Sequence, residues 1–158
     1  MIFKIEHRVG APTNSKAIWD VLSDLGRWPE WNSVYPEIHG LLRIQQRLRI
    51  TEAFPGQPPQ VITPIVGDWV PNAQIIWLHS EMHGLVKRIR YIEIDSLNDD
   101  DTSCVLSNGE IYQGLLGKRV GRQRRKWLKQ GFEQLNADII ARVHAVAAGQ
   151  AVAEGDRG

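Results

Sequence analysis

Hydrophobic positions at the start of the chain follow first the period of a strand and then the period of a helix. Residues 2–9 alternate in polarity, which predicts a strand with Phe3, Ile5 and His7 on one side. The apolar residues that follow are spaced i, i+3, i+4 and i+7, and they are Ile18, Val21, Leu22 and Leu25. This spacing predicts an amphipathic helix directly after the first strand.

Polar residues and a proline mark the start of this helix and of a second one. Thr13, Asn14 or Ser15 can cap the first helix, because each has a side-chain oxygen that accepts from a free backbone N–H. Pro29 suits the first position of a second short helix, where its missing N–H costs nothing. That second helix is predicted to carry Trp31.

The middle of the chain predicts a series of strands. Alternation or short apolar runs cover residues 41–54, 61–70, 73–80, 85–97 and 102–113. Pro64 interrupts the second of these runs, which predicts a strand at a sheet edge or a bulge. With the first strand this makes six or seven strands, and their short connections favour an antiparallel meander over alternating strands and helices.

A continuous apolar stripe predicts a long helix over residues 118–147. The stripe consists of Leu128, Phe132, Leu135, Ile139, Val143 and Val146, in steps of three or four residues. A meander alone cannot bury one whole face, so the helix is expected to lie across it in an α+β fold. Residues 1–148 are predicted to form one domain, and the small polar residues 149–158 a disordered tail.

Two segments carry a more specific pattern. Residues 11–32 contain Ala-Pro, then Ile-Trp-Asp-Val-Leu-Ser-Asp, then Trp-Pro-Glu-Trp-Asn, and residues 110–116 read Glu-Ile-Tyr-Gln-Gly-Leu-Leu. In this order and spacing they resemble the START-related superfamily that includes polyketide cyclases and dehydrases (SRPBCC). The resemblance implies a helix-grip fold, in which a curved antiparallel sheet of six or seven strands wraps around a long C-terminal helix and two short helices follow the first strand. It implies no single activity, because the superfamily includes cyclases, lipid carriers, hormone receptors and co-chaperones.

In the resembling family, the space between sheet and helix is a ligand cavity roofed by the two short helices. Such pockets are mostly apolar, with a few polar groups that orient the ligand. Alternation along the strands and helices then predicts the lining residues, which are Trp31, Leu48, Ile50, Phe54, Trp69, Trp77, His79, Leu106, Glu110, Tyr112, Trp127, Phe132 and Leu135. Six tryptophans suit flat hydrophobic ligands, although such residues also simply fill cores.

Glu110 is the strongest candidate for an acid–base or ligand-binding role. If it faces inward among apolar residues, its pKa should rise, which suits a general acid or base or a partner for a ligand hydroxyl. His79 and Tyr112 are candidates to assist it. The alternatives are an ion pair of Glu110 with Arg88 or Arg90, and ordinary packing for the other two.

The start of the long helix is strongly basic. Its seven cations within twelve residues are Lys118, Arg119, Arg122, Arg124, Arg125, Lys126 and Lys129. Because cations oppose the dipole at a helix start, they need compensation. A lipid headgroup, an acidic protein or RNA can provide it, and so can surface acids such as Asp95 and Asp99 to Asp101. The candidate anion- or partner-binding residues are Arg119, Arg122, Arg124, Arg125 and Lys126.

Composition and residue spacing bear on the number of domains, on membrane insertion, on location and on metal or cofactor binding. The chain has 158 residues, 42% of them hydrophobic, and a formal net charge of +1, which suits one globular domain without general attraction to nucleic acid. No apolar run approaches the roughly 20 residues of a membrane span, so stable membrane insertion is not expected. The single cysteine, Cys104, excludes an internal disulfide and favours the cytoplasm. Histidine spacing and the lack of a phosphate loop predict neither a metal site nor a cofactor.

Three functions fit these patterns. The first is a binding module that holds a small hydrophobic ligand such as a lipid, a polyketide or an aromatic metabolite. The second is a cyclase- or dehydratase-like enzyme that uses Glu110 as its acid or base. The third is a protein-interaction module that uses the basic start of the long helix, and a homo-oligomer stays open.

Overall fold

The computed structural model describes residues 2–155, and side chains as far as Gln150. The elements, in chain order, are β1 (Phe3–Ala11), α1 (Ser15–Ser23), β2 (Glu37–His39), β3 (Arg49–Glu52), β4 (Gln60–Ile62), β5 (Ile65–Val70), β6 (Gln74–Glu81), β7 (Val86–Ser96), β8 (Cys104–Gln113) and α2 (Gly117–Gly155). Two short 3₁₀ helices are added at Leu25–Glu30 and Met82–Gly84. This is the predicted α+β composition, with a long C-terminal helix.

The strands form two antiparallel sheets. The main sheet has the order β1-β8-β7-β6-β5, and a small sheet has the order β2-β3-β4. The prediction of six or seven strands in one curved sheet is therefore wrong in its count, whereas the helix-grip arrangement of a main sheet against α2 is confirmed. Residues 41–54 explain much of the difference, because β3 takes up just four of them.

The segment before β3 turns away from a regular ladder. Gly40 and Gln45 both have positive φ values, 126° and 67°, which interrupt an extended strand. The chain then pairs briefly with the start of β5, where the Gln45 N–H donates to the Val66 carbonyl at 2.8 Å. This contact joins the small sheet to the edge of the main sheet.

Pro64 lies between β4 and β5. The strand after it, β5, is an edge strand of the main sheet, and its pairing with β6 shifts register between Val66 and Asp68. The predicted edge position is therefore confirmed, whereas the prediction of one strand over residues 61–70 is wrong, because the residues on either side of Pro64 belong to different sheets. Proline has no N–H to donate to a ladder, so an edge is where it is tolerated.

Asn14 is the residue that caps α1, because its Oδ1 accepts from the Ala17 N–H at 2.7 Å. The second short helix is a 3₁₀ helix that begins at Leu25, so the prediction that Pro29 starts it is wrong. The chain passes from α1 into this turn with almost no linker, and the Trp28 indole anchors the turn by donating to the Leu22 carbonyl at 3.0 Å. Trp31 directly follows the turn.

The long helix α2 buries its apolar stripe against the main sheet. Leu128, Phe132, Leu135, Ile139 and Val143 are buried, whereas Val146, the last member of the predicted stripe, is 38% exposed. The helix continues through residue 155 and so includes most of the predicted tail, consistent with the high helix propensity of its alanine, glutamine and glutamate residues. Residues 156–158 lie outside the described part. Within residues 2–155, no helix combines the length and the apolar character needed to cross a membrane.

Candidate functional site

Most of the predicted lining residues lie deep between the main sheet and α2. Those that are at most 5% exposed are Leu48, Ile50, Phe54, Trp77, Leu106, Glu110, Tyr112, Phe132 and Leu135. The walls of a cavity large enough for a ligand would retain accessible surface. These side chains therefore fill the space by packing on one another.

Aromatic rings form the centre of this interior. The ring of Tyr35 meets Trp77 edge-on at 5.6 Å and Phe54 at 5.9 Å. Phe54 in turn contacts Trp127 at 5.3 Å and Phe132 at 6.0 Å, measured between ring centroids. Edge-to-face contacts of this kind add to the stabilisation from area burial. The rings thus bind the small sheet, the main sheet and α2 together.

Two predicted tryptophans lie outside this cluster. Trp69 stacks on Trp19 of α1 with centroids 6.0 Å apart, so it packs between α1 and β5. Trp31 tilts against Trp28 at 5.8 Å and lines a surface groove of about 520 Å³ between α1 and the C-terminal half of α2. The structure therefore brings neither ring into the aromatic interior, although Trp28 reaches Trp77 at 6.4 Å.

Arg90 is buried in the middle of the aromatic rings. Its guanidinium carbon lies 4.4 Å from the centroid of the Phe132 ring, a cation–π distance. Its nitrogens donate to the Tyr35 hydroxyl at 2.8 Å, to the Asn108 side-chain oxygen at 2.7 Å and to the Gly109 carbonyl at 3.1 Å. Neutral acceptors and π faces thus replace the water that a buried guanidinium gives up.

Arg88 joins three carboxylates beside it. Its guanidinium lies 2.8 Å from Glu52, 2.9 Å from Glu81 and 3.0 Å from Glu110. The structure therefore contains the ion pair of Glu110 with Arg88, which was one of the alternatives that the sequence left open. Burial raises the pKa of Glu52, partly offset by the charge and hydrogen bonds of Arg88. We call Glu52, Glu81, Arg88 and Glu110 the carboxylate cluster.

The carboxylate cluster approaches the surface at Glu81 and Arg124. Arg124 holds Glu81 in a bidentate pair at 2.7 and 2.9 Å. Burial opposes ionisation of Glu81, but the hydrogen bond from Arg124 and the charges of Arg88 and Arg124 hold its pKa at about 2. Burial and the nearby Arg88 lower the pKa of half-buried His79, which favours its neutral form.

Glu110 keeps one oxygen without a partner. Its Oε2 accepts from Arg88, but its Oε1 has no hydrogen-bond partner within the described residues although the side chain is 1% exposed. Burial and the charge of Glu110 raise the pKa of the neighbouring Tyr112 hydroxyl, so that residue stays protonated. A buried unsatisfied oxygen is costly, which makes Oε1 the natural position for a donor from a ligand or a water.

The candidate anion-binding residues at the start of α2 divide into two groups. Arg124 points inward to Glu81, as described above. Arg119, Arg122, Arg125 and Lys126 are exposed and make no ion pair in the part of the chain that the structure describes. Two of the suggested acidic partners are engaged elsewhere, since Asp101 accepts from the backbone N–H of Ser15 at 3.1 Å and Asp100 accepts from the Thr102 hydroxyl at 2.9 Å.

Several central residues were not singled out from the sequence. Tyr35, Glu52 and Glu81 were not among the predicted site residues, and Arg88 and Arg90 were considered just as partners for Glu110. Glu52 had a readable signal, because it alternates with apolar residues that face the interior. The sequence signal that Arg88 and Arg90 face the interior is weaker, because both faces of β7 contain apolar residues.

We expect an Arg124→Gln variant to change how stability depends on pH. A carboxyl group whose folded-state pKa is about 2, against an ordinary 4.5, stabilises the fold above pH 4.5 and loses that contribution as the pH falls toward 2. Without Arg124 the loss should be shallower, and the variant should be less stable by about 1–2 kcal/mol at pH 7.

Urea unfolding between pH 2 and 7 measures this difference. Arg125→Gln is the matched control, because Arg125 is exposed on the same helix, and its stability should stay within about 0.5 kcal/mol of the parent protein. Equal pH dependence in Arg124→Gln and Arg125→Gln would show that the Glu81 pair contributes nothing.

No family model and no curated protein sequence matches the chain. Solved structures do. Norcoclaurine synthase from Thalictrum flavum, as a point mutant with a transition-state analogue, superposes with a TM-score of 0.70 at 15% identity, covering 93% of this chain and 97% of that one. Zhui aromatase/cyclase from a Streptomyces species gives 0.66 at 15% identity, covering 91% and 94%. A START superfamily protein from Mycobacterium smegmatis gives 0.65 at 18% identity, covering 90% and 98%.

These likenesses confirm the fold that the sequence predicted. All three structures share with this chain the helix-grip fold, in which an antiparallel sheet packs on a long C-terminal helix. Identities between 15% and 18% carry the fold and not an activity.

Proposed function

We propose that this protein binds a small, mostly aromatic molecule with a hydroxyl group, between the main sheet and α2. The fold supports this, because among its structural relatives norcoclaurine synthase has been solved in complex with dopamine and hydroxybenzaldehyde. The aromatic interior supplies flat apolar surfaces, and the carboxylate cluster supplies acceptors. The single cysteine is consistent with action in the cytoplasm.

The observation that carries the proposal is the unpartnered Oε1 of Glu110. A ligand hydroxyl that donates to this oxygen would remove the cost of an unsatisfied buried acceptor. Arg88 keeps the carboxylate oriented through Oε2, so the acceptor is held in place before the ligand arrives.

Binding requires the filled interior to open, and Phe54 is the ring best placed to move. It directly precedes an exposed loop, residues 55–59, and packs on half-buried Trp127. Its ring fits closely on α2 at Gly131, where a Cβ atom would come within 2.3 Å of Phe54. Outward rotation of Phe54 would vacate a ring-sized space next to Phe132 and Tyr35 without disturbing the helix.

A pair of fluorescent probes tests this proposal. 2-Naphthol and naphthalene share their ring system and differ by one hydroxyl, so we expect the parent protein to bind 2-naphthol at least tenfold more tightly. This preference corresponds to about 1.4 kcal/mol, within the range of a hydrogen bond to a charged group. In a Glu110→Gln variant the preference should fall up to tenfold, while the affinity for naphthalene is unchanged.

Two results would contradict the proposal. Equal binding of both probes by the parent protein would show that Glu110 does not select a hydroxyl. If neither probe binds and native mass spectrometry of the purified protein shows no bound molecule, the interior is not a ligand site.

A cyclase- or dehydratase-like enzyme is the second candidate. It is favoured by the proximity of three titratable groups, because the charge of Glu110 acts on both His79 and Tyr112. In such an enzyme Glu110 would move a proton, assisted by neutral His79 or by the Tyr112 hydroxyl. Glu110→Gln separates the two candidates, since it should abolish turnover in an enzyme and largely spare affinity in a carrier.

A further inference from the structure

Exposed apolar side chains gather at the end of the molecule where α2 begins. Leu115 is 86% exposed, Met82 51% and Leu85 41%. They belong to two turns that touch each other, because the N–H of Leu116 donates to the carbonyl of Leu85 at 3.0 Å. The turn between β6 and β7 and the turn between β8 and α2 therefore present one apolar tip to solvent.

The backbone of the first turn adopts an uncommon conformation. Met82 and His83 have φ values of 52° and 55°, and Gly84 has 90°. Residues with side chains rarely occupy this left-handed region, and two in succession carry a conformational cost. That cost is borne in a turn whose apolar Met82 side chain is directed into water rather than into the core.

Exposed cations follow both turns of this apolar tip along the chain. Lys87, Arg119 and Arg122 are exposed, and none of them makes an ion pair with the side chains of residues 2–150. Neither of the two segments that build the tip, residues 82–87 and 113–122, contains an aspartate or a glutamate. The formal net charge of +1 therefore conceals a locally basic end.

We infer that this end of the molecule docks on an anionic lipid membrane. The lipid-docking surface consists of Met82, Leu85, Lys87, Leu115, Arg119 and Arg122. Its cations match the negative potential of anionic headgroups, which acts within a Debye length of the membrane. Its exposed aliphatic side chains match the boundary between headgroups and acyl chains, where shallow insertion removes them from water.

The apolar residues favour a lipid surface over a soluble polyanion. Phosphates of a nucleic acid or carboxylates of an acidic peptide would pair with Arg119 and Arg122, but they would leave Leu115 and Met82 in water. A lipid interface satisfies both halves of the surface. The docking is peripheral, and it does not depend on the ligand site proposed above.

Co-sedimentation with vesicles tests the inference. The full chain should sediment with vesicles of phosphatidylcholine and one third phosphatidylglycerol, and not with pure phosphatidylcholine. Leu115→Ser and the double variant Arg119→Glu/Arg122→Glu should each weaken this binding at least tenfold, and high salt should weaken it as well. Leu97→Ser is the matched control, because Leu97 is 61% exposed after the opposite end of β7 and should bind like the parent.

A folding control and two outcomes decide whether the inference stands. Circular dichroism confirms that each variant is folded before its vesicle binding is compared. No sedimentation with anionic vesicles, or binding that Leu115→Ser leaves unchanged, would overturn a lipid-docking surface. Capture of polyuridylic acid or polyglutamate through Arg119 and Arg122, without vesicle binding, would assign the basic residues to a soluble polyanion instead.

Discussion

Replacing Arg88 by methionine is expected to lower the free energy of unfolding by about 3–5 kcal/mol at neutral pH. Methionine occupies a comparable volume but carries no charge, so Glu52 and Glu110 lose a cation that lies within 3.0 Å of both. Glu81 is affected less, because Arg124 still holds it. Removing one partner of a buried ion pair costs far more than the pair itself contributes, because the remaining charge stays buried without compensation.

The pH dependence of the Arg88→Met variant provides a second readout. Burial already raises the folded-state pKa of Glu52, and without the offsetting charge of Arg88 it should rise further. A carboxyl group of this kind destabilises the fold at higher pH and does so less as the pH falls, so the deficit of the variant should narrow between pH 7 and pH 4. Urea unfolding at several pH values measures this change.

Two further variants make the Arg88 result decisive. Arg122→Met is the matched control, because Arg122 is an exposed arginine, and its effect should stay within about 0.5 kcal/mol. Arg88→Met/Glu110→Gln should regain part of the lost stability, since it removes one of the stranded charges. A loss below about 1 kcal/mol in Arg88→Met, or no recovery in the double variant, would show that the carboxylate cluster is not electrostatically coupled.

Local rules explain why the elements around this cluster were predictable. Spacing of three or four residues identified α2, polar residues before an apolar period placed the cap of α1 within residues 13–15, and the missing N–H of Pro64 predicted an edge or a bulge. Each of these signals depends on neighbours within a few positions along the chain. The fold class followed from such signals and from the resemblance of residues 11–32 and 110–116 to a known family.

The interior was harder to predict because its contacts are distant in sequence. Arg88 meets Glu110 across 22 residues and Glu52 across 36 residues. On β7, Arg88 and Arg90 share a face with apolar residues, but Ile89 and Tyr91 give the opposite face an apolar character as well, so alternation alone does not orient the two arginines. Strand register against β6 and β8 orients them. Side-chain packing that fills a predicted cavity is equally invisible to spacing.

Replacing Phe132 by alanine is expected to lower the free energy of unfolding by about 3–5 kcal/mol. The ring is fully buried on α2, contacts Phe54 and lies over the Arg90 guanidinium. Its removal should leave a void that its helix-anchored neighbours cannot close, and benzene should bind there and restore part of the stability. Thermal unfolding with and without benzene measures both effects, and Leu97→Ala, an exposed leucine, is the control that should respond to neither.

Comparison of Phe132→Ala with Phe54→Ala tests which of the two rings must move for a ligand to enter. Both rings are buried, but Phe54 borders an exposed loop whereas Phe132 belongs to the middle of a helix. If Phe54 occupies the position that a ligand takes, its removal avoids the cost of opening, and 2-naphthol should bind about tenfold more tightly to Phe54→Ala than to the parent. Phe132→Ala should gain a benzene site without that increase for 2-naphthol. An equal gain in both variants would mean that any void in the aromatic interior admits the probe, and Phe54 would then lose its role as the ring that opens the site.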